Sequence, residues 1–270
     1  MTTHRRKKWK SVRSSIIYEL GDEFSKAQIT PRQIDGNYVY VRRGAWRAFT
    51  HFFWYRIVAT PLAFLYTKIK FHHKVIGRKK LKDCADTGYF IYGNHTQDIA
   101  DACIPSMLTL RKQTYIIVHP NNVSIPFVGR VTPSLGALPL PDDMAALRNF
   151  NKAVEHRIAQ KKQVMIYPEA HIWPYCTWIR NFPDASFVYP VKAGVPVFCM
   201  TNTYIRRSFG KKPRIVTYVD GPFYPDTSLS ARAQRKELRD RVYECMCERA
   251  KQNEVVVIEY KKKENMEKDG

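Results

Sequence analysis

From about Val75 onward the chain alternates short apolar runs with stretches of helical period, and this alternation limits the possible folds more than any single residue does. Residues 89–92, 115–118, 135–140, 163–167, 196–201 and 215–219 read as strands. A helix is expected over residues 98–110. A second begins at Asp142, with Leu147, Phe150, Val154 and Ile158 at the 3/4/4 spacing of one buried face and Asp142 or Asp143 placed to cap the first N–H groups. A last helix is expected over residues 230–250, bearing Arg232, Arg235, Lys236, Arg239 and Arg241. Strands separated by helical crossovers argue for an α/β fold, a mostly parallel central sheet covered by helices. In such sheets the chemistry collects in the loops at the carboxyl ends of the strands.

Ahead of the alternation, residues 45–66 read AWRAFTHFFWYRIVATPLAFLY, broken by Arg47, His51, Arg56 and Pro61. The longest uncharged run, residues 57–66, has 10 residues, against the about 20 that span a bilayer. Two readings stand. As an interfacial helix, the segment sets Trp46, Phe52, Phe53, Trp54, Tyr55, Phe64 and Tyr66 at headgroup level, while Arg47, Arg56, Lys68 and Lys70 reach lipid phosphates. As a core helix, it packs the same aromatics inside. The expected organisation is a basic tail and interfacial segment over 1–70, an α/β domain over 71–260 and a charged tail over 261–270.

Charge narrows the partners. The chain of 270 residues has 45 Lys and Arg against 24 Asp and Glu, so its formal charge is 45 − 24 = +21. That excess calls for an anionic partner, whether nucleic acid, an acidic membrane or a phosphorylated substrate. No zinc-finger spacing, homeodomain-like pattern or RNA-binding aromatic strand motif is present, and the basic residues spread over several segments, so no nucleic-acid partner is expected. The arm with Arg5, Arg6, Lys7, Lys8, Lys10 and Arg13, placed before the aromatic stretch, favours anionic membrane. No apolar signal-peptide run follows it, so no secretory signal is expected. Cys84, Cys103, Cys176, Cys199, Cys245 and Cys247 are scattered as in a reducing compartment, and the Cys245/Cys247 pair lacks a second pair at zinc-ligand spacing.

Two predicted strand ends bear the reactive residue types. After the first comes Gly93-Asn94-His95-Thr96-Gln97-Asp98-Ile99-Ala100-Asp101, and after residues 163–167 comes Pro168-Glu169-Ala170-His171. A His leaving a strand, with a carboxylate close behind at a helix start, suits a general base whose tautomer the carboxylate fixes. A helix cap beside an incidental His fits the first fragment as well. A metal site from His95, Asp98 or Asp101, Glu169 and His171 ranks third, because it lacks a helical His-x-x-x-His or a carboxylate run. His119, His156, His72 and His73 read as surface or packing histidines. The loop with Trp173 and Trp178 reads either as a substrate entry or as a lid packed on the core. Arg206, Arg207, Lys211, Lys212 and Arg214 form a basic loop that suits donor phosphates, lipid headgroups or plain solvation.

Over about residues 75–220 the chain resembles the glycerolipid acyltransferases typified by 1-acyl-sn-glycerol-3-phosphate acyltransferase. Four blocks carry the resemblance in the family's order: Asn94, His95 and Asp101; Ile125-Pro126-Phe127-Val128-Gly129 followed by Gly136-Ala137-Leu138-Pro139-Leu140; Tyr167-Pro168-Glu169; and Val195-Pro196-Val197. The departures are specific. The family has four residues between its His and Asp, whereas five precede Asp101 and two precede Asp98; Asp101 is favoured because Ala102-Cys103-Ile104-Pro105 continues it as a helix. The arginine that closes the second block is replaced near Pro141-Asp142, and Gly-Thr-Arg of the third is Ala170-His171-Ile172.

The resemblance implies transfer of a fatty acyl group from acyl-CoA or acyl carrier protein to a lysophospholipid hydroxyl, most directly 1-acyl-sn-glycerol-3-phosphate. It implies His95 as base and Asp101 as its partner, backbone N–H donors in the turn and at the following helix start for the oxyanion, and no metal or further cofactor. Asn94, Glu169 and His171 are the implied substrate contacts, with Arg130, Arg148, Arg180 or His171 in place of the family's phosphate-binding arginines. Glu169 also reads as a structural carboxylate paired with Arg180. The expected location is the cytoplasmic face of a membrane, peripheral or monotopic. Open alternatives are a different hydroxyl acceptor and a non-catalytic membrane-surface protein.

Overall fold

The computed structural model describes residues 14–18, 22, 30–42, 44–110, 112–210 and 212–263. The basic arm, Lys211 and the residues after 263 lie outside the described residues.

The strands are β1 (Ser14–Tyr18), β2 (Lys74–Ile76), β3 (Tyr89–Gly93), β4 (Thr114–Val118), β5 (Ala137–Pro139), β6 (Gln163–Ile166), β7 (Val197–Ile205), β8 (Arg214–Phe223) and β9 (Ile258–Lys262). The helices are α1 (Ala45–Phe52), α2 (Thr60–Phe71), α3 (Asp98–Leu108), α4 (Asn121–Ser124), α5 (Val128–Val131), α6 (Met144–Ala159), α7 (Val188–Ala193) and α8 (Ala231–Ala250). Seven strands form one sheet in the order β2-β8-β7-β3-β6-β4-β5. The five from β7 to β5 are parallel to one another, and β8 runs antiparallel to β7 with β2 parallel to it at the edge. The expected mostly parallel, helix-covered sheet is therefore observed. β1 and β9 form a separate parallel pair.

Every residue of β3 and of β6 is buried, the mark of central strands covered on both faces. On one face Phe90, Tyr92, Val164 and Ile166 pack with α6, through Phe150 and Val154, and with α8, through Leu238, Val242 and Met246. On the other face Tyr89, Ile91, Met165, Phe198 and Met200 pack with Ile104 and Leu108 of α3 and with Phe71 at the end of α2. Asp143 caps α6, its side chain accepting from the Ala146 N–H at 2.7 Å.

The predicted strand over residues 135–140 is shorter than expected. Residues Thr132–Leu135 form a 3-10 turn instead, closed by Gly136 at φ 97°. A Cβ there would lie 2.4 Å from the Thr114 carbonyl oxygen, so both conformation and close approach require glycine.

α1, a π-helical stretch over Phe53–Ala59 and α2 follow one another directly. No residue of α1 is buried. Trp46, Phe49, Phe52, Ile57, Leu62, Leu65 and Ile69 are all more than half exposed. Tyr55, Ala63, Thr67 and Phe71 face the body of the protein. Most of the aromatic segment thus points outward, which speaks against the reading in which all its aromatics pack inside; Tyr55 is buried. Among the described residues no helix is long and apolar enough to cross a membrane.

Candidate active site

β3 ends at Gly93, and the chain then turns across the carboxyl end of the sheet into α3. His95 sits in that turn, its side chain 18% exposed, and its Nδ1 lies 2.9 Å from Oδ2 of Asp101 in the first turn of α3. Asp101 is fully buried. Its Oδ2 also accepts the N–H groups of Thr96 at 2.7 Å and Gln97 at 2.8 Å, while Oδ1 accepts from Asn202 Nδ2 at 3.2 Å. The carboxylate therefore gathers the extra loop residue around itself. An acceptor-only carboxylate facing Nδ1 requires the proton there, which leaves Nε2 as the basic atom. Nε2 has no hydrogen-bond partner among the described residues. The ring is stacked on Tyr167, with centroids 4.4 Å apart and planes at 16°. Asp98, the other carboxylate in the fragment, is exposed on α3.

Glu169, after β6, supports this turn from beneath. Its Oε2 accepts from the His95 N–H at 3.0 Å and from Arg180 at 3.0 Å, and its Oε1 accepts the Arg180 N–H at 2.9 Å. Burial pushes its carboxyl above the ordinary range, against the pull of Arg180 and of the two N–H donors. Ala170 stands where the resembling family has glycine, and it adopts φ 62°, a left-handed conformation that costs a side chain about 1 kcal/mol. His171 is held through its main chain, its carbonyl accepting from Arg180 and its N–H donating to Glu169 O at 2.8 Å.

Asn94, expected to contact substrate, is buried, and its side chain is committed to the main chain of Asn202: Nδ2 donates to Asn202 O at 3.0 Å and Oδ1 accepts from Asn202 N at 2.8 Å. It pins the end of β3 to β7. Arg180 stacks over Trp173, 4.8 Å from the ring, besides binding Glu169. Trp173 is itself buried, stacked on Tyr260 at 5.0 Å, which favours the packed reading of its loop. Arg148 is exposed on α6, outside this network. Arg130 lies between the two halves of the second block and, with Arg32 and Arg42, lines a cavity of about 610 Å³.

The metal reading finds little support in the donor set, because both oxygens of Asp101 and of Glu169 already face N–H donors. Elsewhere Cys199, Asp220 and Cys245 bring ligand atoms within 4.8 Å of one another. Lys80 and Arg249 occupy Asp220 at 2.6 Å each, so the charge a cation would need is already balanced.

Sequence reading missed Asn202, Thr217 and Tyr167 as site residues. A polar Thr201-Asn202-Thr203 run inside an otherwise apolar strand is the one signal that points to the first.

This arrangement of sheet and helices is that of a solved acyltransferase structure. It is the 1-acyl-sn-glycerophosphate (LPA) acyltransferase PlsC from Thermotoga maritima, to which this chain is similar with a TM-score of 0.53 and 18% identity, over 80% of this chain and 86% of that one. At that identity the likeness establishes a shared fold. No protein-family model matches the chain, and no curated protein matches it in sequence.

Proposed function

We propose that this protein is a membrane-surface O-acyltransferase that moves a fatty acyl group from acyl-CoA or acyl carrier protein to the hydroxyl of a lysophospholipid, with 1-acyl-sn-glycerol-3-phosphate as the leading acceptor. The observation that carries the reading is the His95–Asp101 pair at 2.9 Å, set at a strand end of a fold shared with an LPA acyltransferase.

His95 Nε2 takes the proton of the acceptor hydroxyl as that oxygen attacks the thioester carbonyl. Asp101 balances the imidazolium so formed. The tetrahedral intermediate collapses with cleavage of the C–S bond, and the imidazolium returns the proton to the departing thiolate. Thr96 and Gln97, whose N–H groups are taken by Asp101, are poor oxyanion donors. α3 has no side-chain cap, so its first-turn N–H groups suit that role better. Asn94, Glu169 and Arg180 act here as supports of the turn. The arginine-lined cavity beside Arg130 suits the acceptor's phosphate. The exposed aromatics of α1 and α2 suit the headgroup layer of a membrane.

The test is thiol release from acyl-CoA and from acyl carrier protein, measured with a panel of lyso-lipids. His95→Ala is expected to abolish it while binding to anionic vesicles persists. Wild-type protein inactive with every donor and acceptor pair, yet still bound to vesicles, would leave the non-catalytic membrane-surface reading in its place.

A further inference from the structure

Behind the His95–Asp101 pair the polar contacts continue without a break across the sheet. Asn202 of β7 donates through Nδ2 to Asp101 Oδ1 at 3.2 Å. Its Oδ1 accepts from the hydroxyl of Thr217 on β8 at 2.6 Å. The Thr217 hydroxyl lies 2.8 Å from His73 Nε2. Asn202, Thr217 and Asp101 are each fully buried, and His73 is 3% exposed. Strand register produces the chain: Asn202 sits opposite Thr217 in the β7–β8 ladder, and Thr217 sits opposite Val75 in the β8–β2 ladder, two residues after His73.

The direction of every bond can be assigned. An acceptor-only carboxylate at Asp101 fixes which end of the Asn202 amide faces it, so the amide oxygen faces Thr217. The threonine hydroxyl has one proton and donates it to that oxygen. It must then accept from His73, which therefore holds its proton on Nε2. All three bonds point their donors toward Asp101, an aligned series in which each bond strengthens the next. The far end is tied to α2: the His73 N–H donates to Thr67 O at 3.2 Å, and Lys68 Nζ donates to His73 O at 2.7 Å.

We infer that Asn202, Thr217 and His73 are positioning residues, a buried relay that holds Asp101, and through it His95, in the orientation acyl transfer needs. The inference rests on the proposed acyltransfer for its kinetic consequence, but not for its structural one.

Two measurements separate them. Nitrogen-15 NMR of the His95 ring reads its tautomer without any substrate, and steady-state kinetics with a lyso-lipid reads kcat and KM. Asn202→Leu is expected to lower kcat by about tenfold or more, the effect of losing one hydrogen bond to a buried charge, with KM nearly unchanged. It should also turn a single Nδ1–H tautomer of His95 into a mixture. Thr217→Val keeps the branched shape that a strand prefers and serves if Asn202→Leu fails to fold; a smaller shift of the same kind is expected, with Thr217→Ser restoring wild-type behaviour. A folded Asn202→Leu or Thr217→Val protein with the wild-type tautomer and wild-type kcat would overturn the relay. If wild-type protein transfers no acyl group, the acyltransfer reading fails and the tautomer comparison alone decides the relay.

Discussion

Replacing Asp101 by Asn keeps the shape of the side chain and removes its charge, so the outcome can be worked out bond by bond. The carboxylate accepts three N–H donors on Oδ2, at 2.9, 2.7 and 2.8 Å, and one on Oδ1, at 3.2 Å. An amide can satisfy the three only by turning its NH₂ toward the Asn202 NH₂, leaving two donors face to face. That loss is about 1–3 kcal/mol of stability, within what a folded domain tolerates. Catalysis loses more. A unit charge about 4 Å from the imidazolium stabilises it by about 4 kcal/mol at an effective dielectric constant near 20, which is roughly a thousandfold in rate. The assay is His95-dependent thiol release by Asp101→Asn protein whose circular dichroism matches wild type. A folded variant within about tenfold of the wild-type rate would refute the assignment of Asp101 as the partner that stabilises charge on His95.

Burial, with Lys68 and Arg78 nearby, lowers the His73 imidazole from 6.5 to about 4. The unfolded chain then binds a proton that the folded one refuses, so stability falls as pH drops from about 6.5 toward about 4, by roughly 3 kcal/mol across that window. Melting curves should show His73→Phe with a flatter acid limb than wild type; an equal slope would contradict the assignment. Gly136→Ala should cost about 2 kcal/mol or more, since its φ of 97° and the 2.4 Å approach to Thr114 O both exclude a Cβ. Denaturant midpoints would check it, and a change under about 0.5 kcal/mol would disagree with the turn described here.

The central strands were legible because burial on both faces writes them as continuous apolar runs, as in 89–92 and 163–167. β2 was not, because Lys74-Val-Ile is too short to carry a period. The antiparallel course of β8 was also hidden, since direction depends on the loop after Ile205 and not on the strand's own residues. Within the site, His95 and Asp101 are six positions apart and join in one turn, so their pairing could be read locally. Asn202, Thr217 and His73 come together only through register across three strands, and nothing near any one of them in sequence announces the others. Arg180 reads in the sequence either as a phosphate ligand or as a partner of Glu169, and the loop between them brings it onto Glu169 and Trp173.

The helical segment from α1 to α2 that exposes Trp46, Phe49, Leu62 and Ile69 also buries Tyr55, Ala63, Thr67 and Phe71. It cannot therefore be treated as a detachable anchor. Cutting the chain before β2 would strip Phe71 from the core and uncover α3, trading one apolar surface for another. The segment's apolar exposure is better reduced by polar substitution on the outward side alone, where a charged residue at 46, 49, 62 or 69 leaves the inward contacts intact.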